Sequence, residues 1–184
     1  PIRSPSERRR KYKLNESFFD IIDSEQKAYI LGLLYSDGCN EEKHGKITIT
    51  LHIKDKYILE KVREIMDSGK CLLNPPKSNV SIFCVSSKRM SERLAELGCV
   101  QAKSLILKFP SNDIIPEHLF HHFLRGCSDG DGCVRITKTN QLSWSICGSF
   151  SFIDSLNSKL ISLFGLTGHK RTIGNIKDLI YDGT

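Results

Sequence analysis

The sequence predicts an α+β fold built from two tandem halves of similar design. Three observations point there. An apolar helix, an alternating strand and an amphipathic helix stopping at glycine follow one another in residues 23–69, and the same order recurs over residues 116–165. The acid closing the first helix and the glycine closing the second lie 32 residues apart in one half, Asp37 to Gly69, and 34 in the other, Asp131 to Gly165. Asp37 and Asp131 are themselves 94 residues apart, which marks an internal duplication.

Each element has a local reason. Asp23 and Ser24 offer helix N-caps, with Gln26 at capping-box distance from Asp23, and the apolar run Ala28–Gly38 follows. Lys46–Ile53 alternates strictly, placing Ile47, Ile49, Leu51 and Ile53 on one face and Lys46, Thr48, Thr50 and His52 on the other. Ile58, Leu59, Val62, Ile65 and Met66 line the inner face of an amphipathic helix stopped at Gly69. A strand over Val80–Ser86 leads to a helix carrying Met90, Leu94 and Leu97, stopped by Gly98. In the second half Pro116 opens a helix over Glu117–Ser128, which runs into Asp129-Gly130-Asp131-Gly132. A strand follows with Val134 and Ile136 inward and Arg135 and Thr137 outward. Its partner is Leu142–Gly148, with Leu142, Trp144 and Ile146 on one face. Ile153, Leu156, Leu160 and Phe164 make the last amphipathic face, closed by Gly165.

The second half is the shorter. Gly69 to Gly98 spans 29 residues, room for a hairpin and a helix, whereas Gly165 to Gly183 spans 18, room for one strand and a short helix at Ile176–Asp182. No counterpart to Cys99–Lys108 follows. The organisation expected is a basic arm over residues 1–22, a first half over 23–112 and a second, incomplete half over 113–184.

Composition excludes several classes. With 184 residues, 39% of them hydrophobic and 26% charged, the chain can bury a core and is not a disordered protein. No apolar run approaches the roughly 18 residues of a membrane span. The chain opens Pro1-Ile2-Arg3 without an apolar leader or an initiator Met, so a processed chain or a fragment is expected. Its seven cysteines are odd in number, scattered singly and without a C-x-x-C pair. They read as reduced, mostly buried thiols of an intracellular, reducing compartment, a bacterial or phage-host cytoplasm or an organelle. His118, His121 and His122 read as residues of a partly exposed helix rather than metal ligands.

Charge is concentrated at the start. Arg3, Arg8, Arg9, Arg10, Lys11 and Lys13 against Glu7 supply +5 of the net +6 within residues 1–15. Such an arm can neutralise phosphates and gain affinity through counterion release.

The duplication places the same chemistry at two equivalent points. Gly32 and Ser36 in the first helix, and Gly126 and Gly130 in the second, are small residues four apart, on one face, where two backbones can approach closely. If the helices pair on those faces, Asp37 and Asp131 emerge side by side. Adjacent carboxylates repel unless they hold divalent cations, and such metals serve in-line phosphodiester hydrolysis. An EF-hand at Asp129-x-Asp131-Gly132 fails, because the third acidic position is Cys133 and the twelfth residue is Asn140 where the loop needs a bidentate Glu.

Ile30-Leu-Gly-Leu-Leu-Tyr-Ser-Asp-Gly38 and Leu124-Arg-Gly-Cys-Ser-Asp-Gly-Asp-Gly132 resemble the two motifs of a single-chain LAGLIDADG homing endonuclease. The second keeps Leu124, Gly126, Asp129, Asp131 and Gly132. The first keeps Gly32, Leu33, Asp37 and Gly38, with Tyr35 where an acid often sits. The resemblance covers nearly the whole chain. It implies two pseudo-symmetric αββαββα-like halves joined through the motif helices, and two antiparallel sheets that bind double-stranded DNA. It further implies a monomer with an internal pseudo-two-fold, and cleavage of both strands with Mg²⁺, for which Mn²⁺ or Ca²⁺ can substitute in binding. By position, Asp37 and Asp131 become the metal-binding acids, with carbonyl ligands near Gly38 and Gly132, and Lys103 the basic residue beside the scissile phosphate. The DNA contacts expected are Arg8, Arg9, Arg10, Lys11 and Lys13 from the arm. From the sheets they are Lys46, Thr48, Thr50, His52, Arg135, Thr137, Thr139, Ser143 and Ser145. The other class that fits is a non-cleaving DNA-binding regulator or RNA-splicing maturase of the same fold.

Overall fold

The computed structural model describes residues 11–183. In the first half, helix α1 (Glu25–Ser36) is capped by Ser24, whose Oγ accepts the Lys27 N–H at 3.4 Å. Asp23, the other candidate cap, pairs with the Lys27 ammonium at 2.8 Å instead. Strand β1 (Gly38–Glu41) has no sequence-level forerunner, being four residues long and too short to display alternation. Strand β2 (Lys46–His52) buries Ile47, Ile49 and Leu51, but Ile53 leaves the strand for a 3₁₀ turn and is exposed. Helix α2 (Lys56–Ile65) buries Leu59 and Val62, with Met66 buried just beyond. Ile65 faces solvent, and Asp67 at φ 51°, rather than Gly69, turns the chain out of the helix. Strand β3 (Val80–Ser86) and helix α3 (Lys88–Glu96), capped by Ser87 and released at Gly98 (φ 96°), stand where the pattern places them. The hairpin expected before β3 is reduced to one bridge, Leu73 with Ile82.

In the second half a 3₁₀ turn over Glu117–Leu119 winds into helix α4 (Phe120–Asp131), which ends three residues later than expected, so that Asp131 is its last residue. Strands β4 (Gly132–Ile136) and β5 (Leu142–Gly148) follow, then helix α5 (Phe150–Phe164), closed by Gly165 at φ 64°. The stretch expected as a strand and a short helix is a hairpin of β6 (His169–Ile173) and β7 (Ile176–Asp182). The signal for it is Gly174-Asn175 between paired Ile173 and Ile176, a two-residue turn with Gly174 at φ 57°.

Both sheets are antiparallel, in the orders β1-β2-β3 and β4-β5-β7-β6. Helix α5 packs on β7 and β5, leaving the edge strand β4 uncovered. Val134 (67% exposed) and Ile136, expected inward, are therefore open to solvent, as are Leu142 and Phe164. One apolar cluster runs through both halves, from Leu59 and Met90 to Ile153 and Leu179, across the paired helices α1 and α4. The described cysteines are all free, and only Cys84, Cys99 and Cys127 are buried, fewer than expected. Among the described residues no helix is long and apolar enough to cross a membrane.

Candidate active site at the end of a helix pair

The packing of α1 on α4 is set by glycine. A Cβ added to Gly32 would lie 2.1 Å from Phe123 O, and one added to Gly126 would lie 2.1 Å from Tyr29 O. Phe123 is Tyr29 displaced by 94 residues, so the two contacts are one contact seen from both sides of a pseudo-two-fold axis. On that axis Ser36 meets its own counterpart, Gly130, where a Cβ would come within 2.1 Å of the Ser36 Oγ and 2.7 Å of Asp37 Oδ2. All four small residues thus lie at the contact. The Asp37 carboxylate rests against α4 one residue before Asp131.

Both acids are followed by glycine for the same steric reason. A Cβ at Gly38 would meet Leu34 O at 2.5 Å, and one at Gly132 would meet Ser128 O at 2.4 Å, the carbonyl of the preceding turn in each case. The chain can then leave each helix directly into a strand, β1 or β4, whose first residue is that glycine.

The third member is Lys103, in a 3₁₀ turn over Lys103–Leu105 that follows Ala102 in the left-handed region (φ 54°). Its side chain is 8% exposed, and its Nζ donates to Gly38 O. A buried ammonium needs such a partner, and it also acts as countercharge to both acids. Burial raises the Asp37 carboxyl, with Lys103 opposing. Burial and then the Asp37 charge push Asp131 up to about 6, again against Lys103. One side of Asp131 is open to solvent, yet the protein packed around the carboxylate displaces enough water to disfavour its charge.

A raised carboxyl pKa means that the group supports folding below its ordinary value near 3.8 and loses that support as pH rises through about 6. Metal-free protein at about pH 7 should therefore melt below an Asp131→Asn variant by about 2–4 °C, the shift for about 1 kcal/mol after solvent screening. At about pH 4 the two should melt together. Added Mg²⁺ should raise the melting temperature of the parent chain alone. Equal melting points across this range would remove the charge conflict from the site.

The donor set suits a hard divalent ion. Among the described residues no three His, Cys, Asp or Glu side chains converge on one point, so the protein offers two carboxylates and main-chain oxygens. Mg²⁺ commonly takes one or two carboxylates and completes its shell with water and phosphate oxygens. Gly38 O is engaged by Lys103, and Asp131 O accepts from the Cys147 thiol at 3.7 Å, an interaction no motif signalled. His122 faces Glu25 at 3.5 Å and stacks on His121, away from the acids.

Solved structures supply the comparison. A LAGLIDADG homing endonuclease bound to target DNA, I-LtrWI, superposes with a TM-score of 0.57 at 14% identity, over 92% of this chain and 80% of its own. The chain has the LAGLIDADG fold. The N-terminal LAGLIDADG domain of DUF199/WhiA superposes with a TM-score of 0.56 at 14% identity, over 98% of this chain and 86% of its own. I-SmaMI, bound to an uncleaved DNA target in the presence of calcium ions, gives 0.53 at 12%, over 85% and 79%. No family model matches the sequence, and no curated protein matches it.

The LAGLIDADG fold distributes the remaining candidates unevenly. Thr50, His52 and Arg135 are exposed, while Thr48 is half-buried and Lys46 pairs with Glu41 at 2.7 Å. Thr137 and Thr139 lie in the turn after β4, bonded to each other at 2.9 Å, not in the strand. Ser145 is half-buried. Ser143, expected outward, is 1% exposed, enclosed at the centre of its sheet between Arg135 and Asp182. Of the arm, Arg8, Arg9 and Arg10 lie outside the described residues, and Lys13 pairs with Asp67 at 2.6 Å. Strand β6 adds three exposed basic side chains that no sequence pattern singled out, His169 beside Asp182, Lys170 on Asp154 and Arg171 on Asp178.

Proposed function

We propose that this protein is a divalent-metal-dependent, site-specific endonuclease acting on double-stranded DNA, working as a monomer with an internal pseudo-two-fold. The observation that carries the reading is the convergence of Asp37, Asp131 and Lys103 at one end of a helix pair related by 94 residues. Asp37 and Asp131 would hold the metal, aided by main-chain oxygens near Gly38 and Gly132. The bound ion supplies Lewis-acid stabilisation of a phosphodiester under attack and lowers the pKa of attacking water. The chain's residues do the rest. Helix packing fixes the two carboxylates before any ligand arrives. Lys103 offers a positive charge beside them to a phosphate, and the polar sheet faces orient the duplex.

The test is selection of cleaved molecules from a randomised duplex library with Mg²⁺. Recovery of one preferred sequence, cut on both strands, is the expected result. The second reading, a non-cleaving DNA- or RNA-binding protein, draws on the WhiA domain, a relative in fold that is not named as a nuclease. Sequence-specific retention without cleavage in any divalent metal would favour it.

The arm gives a separate expectation. Lys13 O and the Asn15 N–H already bond to Gly69 and Met66, so the cut belongs before them. Deleting residues 1–10 should weaken binding equally for selected and scrambled duplexes. The slope of log K against log salt should flatten by about 0.9 for each phosphate that is no longer neutralised. The cut position should not move. An unchanged slope would make the arm a tether.

A further inference from the structure

Helices α2 and α3 pack on one face of the first sheet, and α5 packs on one face of the second. The opposite faces carry the exposed Thr50 and His52 in one half and the exposed Arg135 and Arg171 in the other. Sheet register allows these faces to be matched row by row. Gly38 stands opposite Ile49 as Gly132 stands opposite Ile146, so Thr50 and Cys147, one residue on, are equivalent. From there the row runs Thr50, Ile82, Leu73 in the first half and Cys147, Asp178, Arg171 in the second. The second row starts beside Asp131, whose carbonyl accepts from the Cys147 thiol at 3.7 Å. One row thus ends in an apolar pair and its counterpart in an ion pair.

The ion pair holds a guanidinium still. Asp178 is enclosed, its side chain 13% exposed, whereas Arg171 is 59% exposed on the edge strand β6. Arg171 Nη2 donates to Asp178 Oδ2 at 2.7 Å. An arginine side chain has about 2 kcal/mol of rotamer entropy to lose on contact, and a fixed carboxylate removes part of that loss beforehand. The same carboxylate makes the pair a poor phosphate clamp, because its charge offsets that of the guanidinium. A base edge suits it better. In the major groove guanine presents two acceptors, N7 and O6, and its cytosine presents an amino donor. The pair offers the complement, guanidinium donors and a carboxylate acceptor side by side. An A·T pair would set the adenine amino group against the guanidinium and thymine O4 against the carboxylate.

We propose that Arg171 and Asp178 read one G·C base pair in the half-site under the second sheet. Arg171 donates to guanine, and Asp178 positions it while accepting from cytosine. The equivalent base pair under the first sheet meets Leu73 and Ile82, which carry no side-chain hydrogen-bonding group and favour contact with a thymine methyl. The inference rests on the DNA-binding part of the proposed function and not on cleavage.

The test is selection by binding, not by cutting, from a randomised duplex library with Ca²⁺. It compares the parent chain with Arg171→Lys, with Asp178→Asn, and with the double exchange Arg171→Leu and Asp178→Ile. The parent should retain one preferred sequence with a G·C pair at a single position that all three variants relax. Arg171→Lys keeps the charge and loses the fork, so discrimination there should fall about tenfold while affinity for scrambled duplex and its salt dependence stay unchanged. Asp178→Asn should weaken the same preference and tighten binding to scrambled duplex, which a merely structural role would not do. The double exchange, which circular dichroism should show to be folded, should replace G·C with the preference found at the position related by the pseudo-two-fold. A preferred sequence that ignores all three variants would overturn the proposal alone. So would a loss equal for every sequence in the double exchange, with a slope of log K against log salt flatter by about 0.9, since Arg171 would then be a phosphate contact. A parent chain that retains no preferred sequence would overturn the site-specific DNA reading together with this one.

Discussion

Replacing Asp131 with asparagine is expected to abolish strand cleavage while leaving DNA binding intact or slightly tighter. The change keeps shape and removes one charge. A neutral amide cannot anchor a divalent ion as a carboxylate does, so the loss should exceed the about 10²–10³-fold cost of removing a single fixed electrostatic donor. Affinity comes chiefly from many phosphate contacts, and removing a negative charge near a phosphate lowers repulsion. At limiting Mg²⁺ the rate of the parent chain should fall as pH drops through about 6, where a proton competes with the metal for Asp131, and saturating Mg²⁺ should move that fall to lower pH. Gel-shift and single-turnover cleavage on the selected duplex separate these effects. Full activity in the variant would take Asp131 out of the chemistry.

The second large effect is structural. Gly126→Val should cost more than about 4–5 kcal/mol, enough to unfold a chain of ordinary stability. The first added carbon would already sit 2.1 Å from Tyr29 O and 2.8 Å from Leu33 N, both backbone atoms that cannot swing aside. The helices would have to move apart along the seam that joins the halves. Gly165→Ala is the control. It meets nothing within 4 Å and bears only the strain of φ 64°, about 1–2 kcal/mol. Urea unfolding of the two variants would show whether the seam or the turn carries the stability; similar losses would contradict the packing account.

Much of this arrangement is legible in the sequence because the residues that matter obey short-range rules. Ser24 and Gly98 mark helix ends by capping chemistry, and β3 falls where the pattern places it. The motif spacing brings Asp37 and Asp131 to one place without any knowledge of distance. What escapes depends on cover rather than pattern. Alternation assigns Val134 and Ile136 to one face of β4, but no local rule says whether a helix lies against that face, and here α5 serves β5 and β7 instead. Ser143 has a polar side chain and an outward register, and is nonetheless enclosed by its cross-strand neighbours. The β6–β7 hairpin carries its signal in Gly174-Asn175, a turn pair that outweighs the shortness of the stretch around it. The Cys147 bond to Asp131 joins residues that no spacing links.

The meeting of Ser36 with Gly130 has a consequence for how such a molecule can change. Two identical subunits must place the same residue on both sides of their axis, and any exchange there happens twice at once. Two serines would collide at this separation, since even a lone methyl at Gly130 would lie 2.1 Å from the Ser36 hydroxyl. A single covalent chain escapes that obligation. It can seat a larger side chain against a bare backbone, fit the seam like a key cut on one side only, and let each half drift separately afterwards. Once that mismatch is in place the first half can no longer pair with a copy of itself at this separation, because two serines would meet on the axis.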